Sequence, residues 1–243
     1  VNKLDTAANY QQHTAHRSLA HAAGDLIGSF EISTKVGFFP EGHRLAPASL
    51  KAAIQQIPED FGRLPDTVLL HNPETSATGL GRACQTLAEM TDAGYCRAWG
   101  ISSWSPHKLA IDDSDIPRPD TVLVRAGLSA PAPVLEAAET LASRTGARQV
   151  WGMAPFGGSA ADPLWSTIDT SLLVPPQQQA TPLQRVAAAA FALPAAVERL
   201  CVGTSSAAHL SEIVHAEGLS LCPEAIEKYR GLLRRRAERI STA

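Results

Sequence analysis

Residues 66–103 read DTVLLHNPETSATGLGRACQTLAEMTDAGYCRAWGISS. An apolar run, 66–72, gives way to a Pro-containing loop. A stretch at helical spacing, 80–94, follows and ends in Gly, a common helix stop. A second apolar run, 95–103, then opens. Strand, helix, strand in this order points to a parallel sheet.

The same alternation extends in both directions. Apolar runs recur at NKLDTA (2–7), FEISTKV (30–36), DTVLVRAG (120–127), ARQVWGMAP (147–155) and RLCVGTSS (199–206). Ala- and Leu-rich segments at helical spacing lie between them, among them 49–62 and 133–146. At 180–193, Thr181 is placed to cap a helix and Pro182 to occupy its first turn. No internal repeat or low-complexity tract interrupts the pattern, and 175–182 reads as a loop. The expected fold is α/β, either a β/α barrel or a doubly wound sheet. No GxGxxG follows a strand, which weakens the dinucleotide-binding version of the second.

Composition sets the outer bounds. The chain has 243 residues, 44% hydrophobic and 19% charged, with a formal net charge of -3. That length suits one barrel domain spanning residues 1–243, with a core that needs no disulfides. The four cysteines, Cys84, Cys96, Cys201 and Cys222, form no CxxC pair. They read as reduced thiols of a cytoplasmic protein. No apolar run is long enough to span a bilayer, and the charge balance argues against nucleic acid as a partner. The basic stretch LLRRRAER reads as the solvated face of a terminal helix anchored by Leu232, Leu233 and Ile240. His13, His16 and His21 lack carboxylate or cysteine company, so a polar helix face is expected there rather than a metal site.

In a β/α barrel the C-terminal strand ends share one mouth, and catalytic side chains come from several of them. The strand ends here offer Asp5 and Tyr10, then Lys35, His71, Ser102 and Ser103, and finally Gly203, Thr204, Ser205 and Ser206. Read in order, DxxxxY, TK, LLH, GISS and GTSS resemble the aldo-keto reductase family through nearly the whole chain. That resemblance implies a (β/α)8 barrel and NADP(H) as cofactor. It also implies an NADPH-dependent oxidoreductase that turns an aldehyde or ketone into an alcohol.

The residue types suit that chemistry. A tyrosine can protonate a developing alkoxide if its ordinary value of about 10 falls by roughly 3 units. The ammonium of Lys35 would favour the phenolate. Asp5 would pair with Lys35, and His71 would donate to the carbonyl oxygen. At 201–214 a strand, a Gly turn and a helix start offer amides and hydroxyls to phosphate. A helix capped by Ser205 or Ser206 is the structural alternative. Phe38 and Trp104 are expected walls of a substrate pocket, with ordinary packing as the alternative for each.

Several positions depart from the family pattern. The resemblance assigns cofactor contacts to Ser102 and Ser103, where Ser-Asn is usual. It puts Arg125 at the place of a glutamine and Met153 at that of a stacking aromatic. His209 stands where an arginine often meets the 2′-phosphate, and Glu212 is followed by Ile213 rather than an asparagine. NADP(H) is therefore expected to be weakly held. Two other readings stay open: a non-redox lyase or isomerase using the same acid–base residues, and a low-turnover binding or regulatory subunit. Only four residues precede Asp5, and the runs make seven barrel strands. The family's first strand and helix have no counterpart among these runs; an upstream segment is the expected source, with a partner chain or a rearranged opening as the alternative.

Overall fold

The computed structural model describes residues 1–111 and 116–241. Seven strands share one sheet in the order in which the chain visits them. The chain divides into two compact units, 1–123 with 141–149, and 124–140 with 150–243.

The first unit starts with β1 (Lys3–Asp5), followed by a single turn, α1 (Tyr10–His13), and by α2 (Ala15–Ala23). Next come β2 (Glu31–Val36), a small antiparallel hairpin of β3 (Phe38–Phe39) and β4 (Gly42–His43), and α3 (Pro47–Phe61). β5 (Thr67–His71), α4 (Leu80–Asp92) and β6 (Ala98–Ser103) complete the strand–helix–strand segment that opened the sequence. The β1–β2, β2–β5 and β5–β6 pairs are all parallel. β5 is buried along its whole length, as a strand covered on both faces must be.

α3 buries Leu50, Ile54, Ile57 and Phe61, a stripe with the 3.6-residue period of one helix face. Each such side chain contributes about 1.5–3 kcal/mol by leaving water. Gly100 in β6 has no room for a side chain: a Cβ there would stand 2.1 Å from the Thr121 carbonyl oxygen and 2.8 Å from Leu69. That bare position lets the sheet close up beside Leu69. At the other ends of the strands Asp66 accepts from the Ile32 amide and pairs with Arg63 and Arg97.

β7 (Thr121–Arg125) and α5 (Ala132–Thr145) run through the division between the units. The second unit continues with β8 (Gln149–Met153), of which Gln149 still belongs to the first, then α6 (Leu164–Thr167), α7 (Pro182–Ala189), β9 (Val197–Cys201), α8 (Ala207–His215) and α9 (Pro223–Ser241). β8 and β9 pair in parallel with an irregularity at Val150/Trp151. Thr181 caps α7 in a reciprocal box with Gln184, as the Thr-Pro start suggests. The core of this unit gathers Leu128, Leu135, Trp165, Val186, Leu193 and Ile226.

Two sequence expectations change on contact with the structure. Leu233 packs against that core with Tyr229, but Leu232 is 49% exposed. Adjacent helix residues point about 100° apart, so only one of them can face inward. The side chain of Ile240 lies outside the described residues. His16 is no part of a polar helix face either. It is buried, bonds the Thr34 hydroxyl at 2.7 Å, stacks 4.4 Å from the Phe61 ring and lies 3.9 Å from Asp60.

Candidate active site

The first unit brings Asp5, Tyr10, Lys35 and His71 together, and the strand registers explain how. Asp5 is level with Ser33, and Lys35 follows two residues later on the same face of β2. Lys35 is level with Leu69, so His71, two further on, shares that face as well. Beyond β1 the chain stays tied to β2: the Thr6 amide donates to Ser33 and the Ala8 amide to Lys35. A turn closed by Tyr10 N–H on the Ala7 carbonyl then delivers Tyr10. Gln11, Gln12 and His13 follow with φ of 50°, 55° and 68°, a left-handed run that non-glycine residues adopt at a cost.

Lys35 is the largest fully buried side chain among the described residues, at 1% exposure. Its ammonium donates to Asp5 Oδ2 at 2.5 Å and to the Thr6 carbonyl at 2.8 Å. Ser33 donates to the other Asp5 oxygen at 2.8 Å. A buried ammonium persists only when so paired. Its Nζ also lies 5.1 Å from the centre of the Tyr10 ring. Tyr10 is 43% exposed. The His71 ring stands edge-on to Tyr10 at 5.9 Å and to Phe38 at 5.0 Å.

Burial, the Lys35 ammonium and His43 together push the His71 imidazole down to about 3. The ring is therefore neutral and holds one proton across the physiological range. Its Nδ1 is buried without a hydrogen-bond partner among the described residues. This depression links stability to pH. The folded value lies below the ordinary 6.5, so the unfolded chain takes up the proton first. Stability present above pH 6.5 is then lost as pH falls towards 3, by at most about 5 kcal/mol. His16, also lowered by burial, acts in the same direction. Urea midpoints measured from pH 7 down to about 4 should fall steadily, and His71→Asn should flatten most of that slope. A slope unchanged by His71→Asn would contradict the assignment.

At the end of β6, Ser102 is level with His71, and its hydroxyl is buried without a partner among the described residues. Ser103 instead donates to Glu74 at 2.9 Å. The other Glu74 oxygen accepts from the Ser105 amide at 2.7 Å, and Asn72 Oδ1 accepts from the Trp104 amide at 3.1 Å. Asn72 and Glu74 thus hold the loop after β6, a role that sequence reading missed. The one available signal was Asn72 before Pro73, an Asn suited to its left-handed φ of 47°. Trp104 is 41% exposed, while Phe38 contacts His71 directly. A cavity of about 360 Å³ opens at the opposite strand ends, between Glu31, Arg63, Asp66 and Arg97. None of the expected site residues lines it.

The second unit holds the other expected contacts. Arg125, at the end of β7, makes a long hydrogen bond to the Ser129 carbonyl at 3.4 Å, and burial lowers its pKa. Met153 ends β8 half-buried. Gly203, Thr204 and Ser205 form an exposed turn after β9. Ser206 caps α8 by accepting from the His209 amide, and Thr204 accepts from the Ser206 amide at 3.1 Å. His209 is exposed. The Glu212 carboxylate accepts from the Thr181 hydroxyl.

The sequence profile of the aldo/keto reductase family matches residues 1–140. No curated protein sequence matches the chain. Among solved structures, the aldo-keto reductase AKR11C1 of Bacillus halodurans in its holo form is similar over 96% of this chain and 82% of its own. The TM-score is 0.72 at 18% identity. An aldo-keto reductase of Klebsiella pneumoniae in complex with NADPH covers 96% and 80%, with a TM-score of 0.71 and 18% identity. The thermostable aldo-keto reductase Tm1743, in complex with the inhibitor epalrestat, covers 94% and 81%, with a TM-score of 0.69 and 21% identity. At such identities the likeness carries the fold, a β/α barrel, of which seven strands lie among the described residues.

Proposed function

The chain belongs to the aldo/keto reductase family, and from that premise we propose that it reduces an aldehyde or ketone to an alcohol with NADPH. The observation that carries this reading is the buried Lys35 ammonium, held by Asp5 against the Tyr10 ring and beside a neutral His71. When bound, the reduced nicotinamide supplies the hydride.

Every other step belongs to side chains of the first unit. The His71 N–H donates to the substrate carbonyl oxygen and orients it. The Tyr10 hydroxyl passes its proton to that oxygen as the double bond becomes an alkoxide. Lys35 stabilises the phenolate that is left, and Asp5, itself fixed by the Ser33 hydroxyl, holds Lys35 in place. Phe38 and Trp104 flank the substrate.

The residues present fit a nicotinamide cofactor in part. The orphaned Ser102 hydroxyl, buried level with His71, is the group that would take its carboxamide. Ser103 keeps only acceptor capacity once it donates to Glu74. In the second unit the exposed turn of Gly203, Thr204 and Ser205, next to the α8 cap Ser206, offers amides and hydroxyls for phosphate, with His209 nearby in sequence for the 2′-phosphate. Arg125, Met153 and Glu212 are the family-assigned positions there, and Arg125 and Met153 lack the usual amide and aromatic ring. Binding is therefore expected to be weak.

The test is a fluorescence titration with NADPH, followed by loss of the nicotinamide absorbance with a panel of aldehydes and ketones. Saturable binding and carbonyl-dependent loss support the reading. Binding with no loss for any carbonyl would favour a non-redox or regulatory role.

A further inference from the structure

His43 closes the β3–β4 hairpin and has both ring nitrogens engaged. Nε2 lies 2.9 Å from the main-chain carbonyl oxygen of His71, and Nδ1 lies 2.7 Å from the Ser76 hydroxyl. A carbonyl only accepts, so the ring donates from Nε2; in its neutral form Nδ1 then accepts from Ser76. The first bond passes over Gly37, whose φ is +134°. A Cβ there would sit 3.2 Å from His43 Nε2 and 3.3 Å from the His71 oxygen. The Arg44 amide closes the hairpin base on the Gly37 carbonyl at 2.8 Å. Between these ties the hairpin carries Phe38, edge-on to the His43 ring at 4.7 Å and to the His71 ring at 5.0 Å.

Resting on the reading that His71 faces the substrate carbonyl, we propose that His43 is a positioning residue. It clamps the Phe38–His43 hairpin to the end of β5, so that Phe38 stands as a fixed apolar wall beside the substrate carbonyl. The clamp grips main chain at residue 71 and makes no hydrogen bond to the His71 imidazole, on which it acts more weakly than burial and the Lys35 ammonium do. Its loss therefore weakens the binding of carbonyls with an aromatic or apolar substituent more than it slows the chemical step.

The experiment compares His43→Phe, which keeps a ring against Phe38 but removes both bonds, with His43→Gln, which keeps an amide donor for the carbonyl. Amide hydrogen exchange over residues 37–44 is followed without cofactor or substrate, and 4-nitrobenzaldehyde reduction is followed with NADPH. His43→Phe should speed exchange in that segment about tenfold while the rest of the first unit keeps its protection. It should raise KM about tenfold with kcat within about threefold. His43→Gln should recover most of both. If His43→Phe fails to fold, Ser76→Ala removes one of the two bonds and should give about threefold effects in the same direction.

Unchanged exchange at 37–44 would overturn the proposal. So would loss of protection spread through the whole unit, or a fall in kcat at constant KM. A wild-type protein with no reductase activity would instead sink the functional reading, and the exchange data would still decide the role of His43.

Discussion

Tyr10→Phe should lower NADPH-dependent carbonyl reduction by roughly 100- to 10,000-fold, the usual contribution of a general acid. The substitution deletes one oxygen and nothing else that the site needs. A phenyl ring keeps the edge contact to His71 and the face beside the Lys35 ammonium. Tyr10 is 43% exposed, so loss of its hydroxyl strands no deeply buried group. The melting temperature should stay within about 2 °C, as for a surface substitution. NADPH affinity should change less than about twofold, since the hydroxyl acts on the carbonyl oxygen in the transition state. A variant that retains a third or so of the wild-type rate would remove Tyr10 from the chemistry.

Lys35→Met carries a double penalty. The ammonium is 1% exposed and satisfies one Asp5 oxygen and the Thr6 carbonyl. Without it, Asp5 keeps the Ser33 hydroxyl but loses its counterion. Breaking a buried pair from one side costs about 3–5 kcal/mol. Asp5 retains 19% side-chain exposure, so water relieves part of this and about 3 kcal/mol is expected. Turnover should fall by roughly 100-fold or more, because no cation remains to stabilise the Tyr10 phenolate. The two effects separate in the double variant Asp5→Asn/Lys35→Met. Removing both charges should restore most of the stability and none of the turnover. Recovery of activity along with stability would show that the pair serves folding alone.

The parallel sheet was legible because each strand run ended in a polar or Gly/Pro loop before a helix with a clear face. β5 and α4 illustrate this: a continuous buried run, then Ala83, Cys84, Leu87 and Met90 on one side. Asp5, Lys35 and His71 were visible as polar residues ending apolar strands. Their mutual arrangement follows from registers that a sequence does not print. His16 was misread because its partners Thr34, Asp60 and Phe61 lie on other elements. The Glu74–Ser103 bond joins residues 29 apart, and the His43 bridge to His71 joins residues 28 apart. Strands of two residues, such as β3 and β4, are too short to show alternation. Leu232 and Leu233 could not be ranked from composition, since only the burial of Tyr229 and Ile226 tells which face of α9 is inward.

The most direct measurement follows the hydride itself. NADPH carrying deuterium at both C4 positions of the nicotinamide is incubated with the wild-type protein and a reducible aldehyde, and the product is analysed by mass spectrometry and NMR. The account predicts an alcohol with one deuterium on the carbinol carbon, formed at a rate that collapses in Tyr10→Phe. Oxidation of NADPH with no deuterium in the alcohol, or no alcohol from any aldehyde tried, would contradict it.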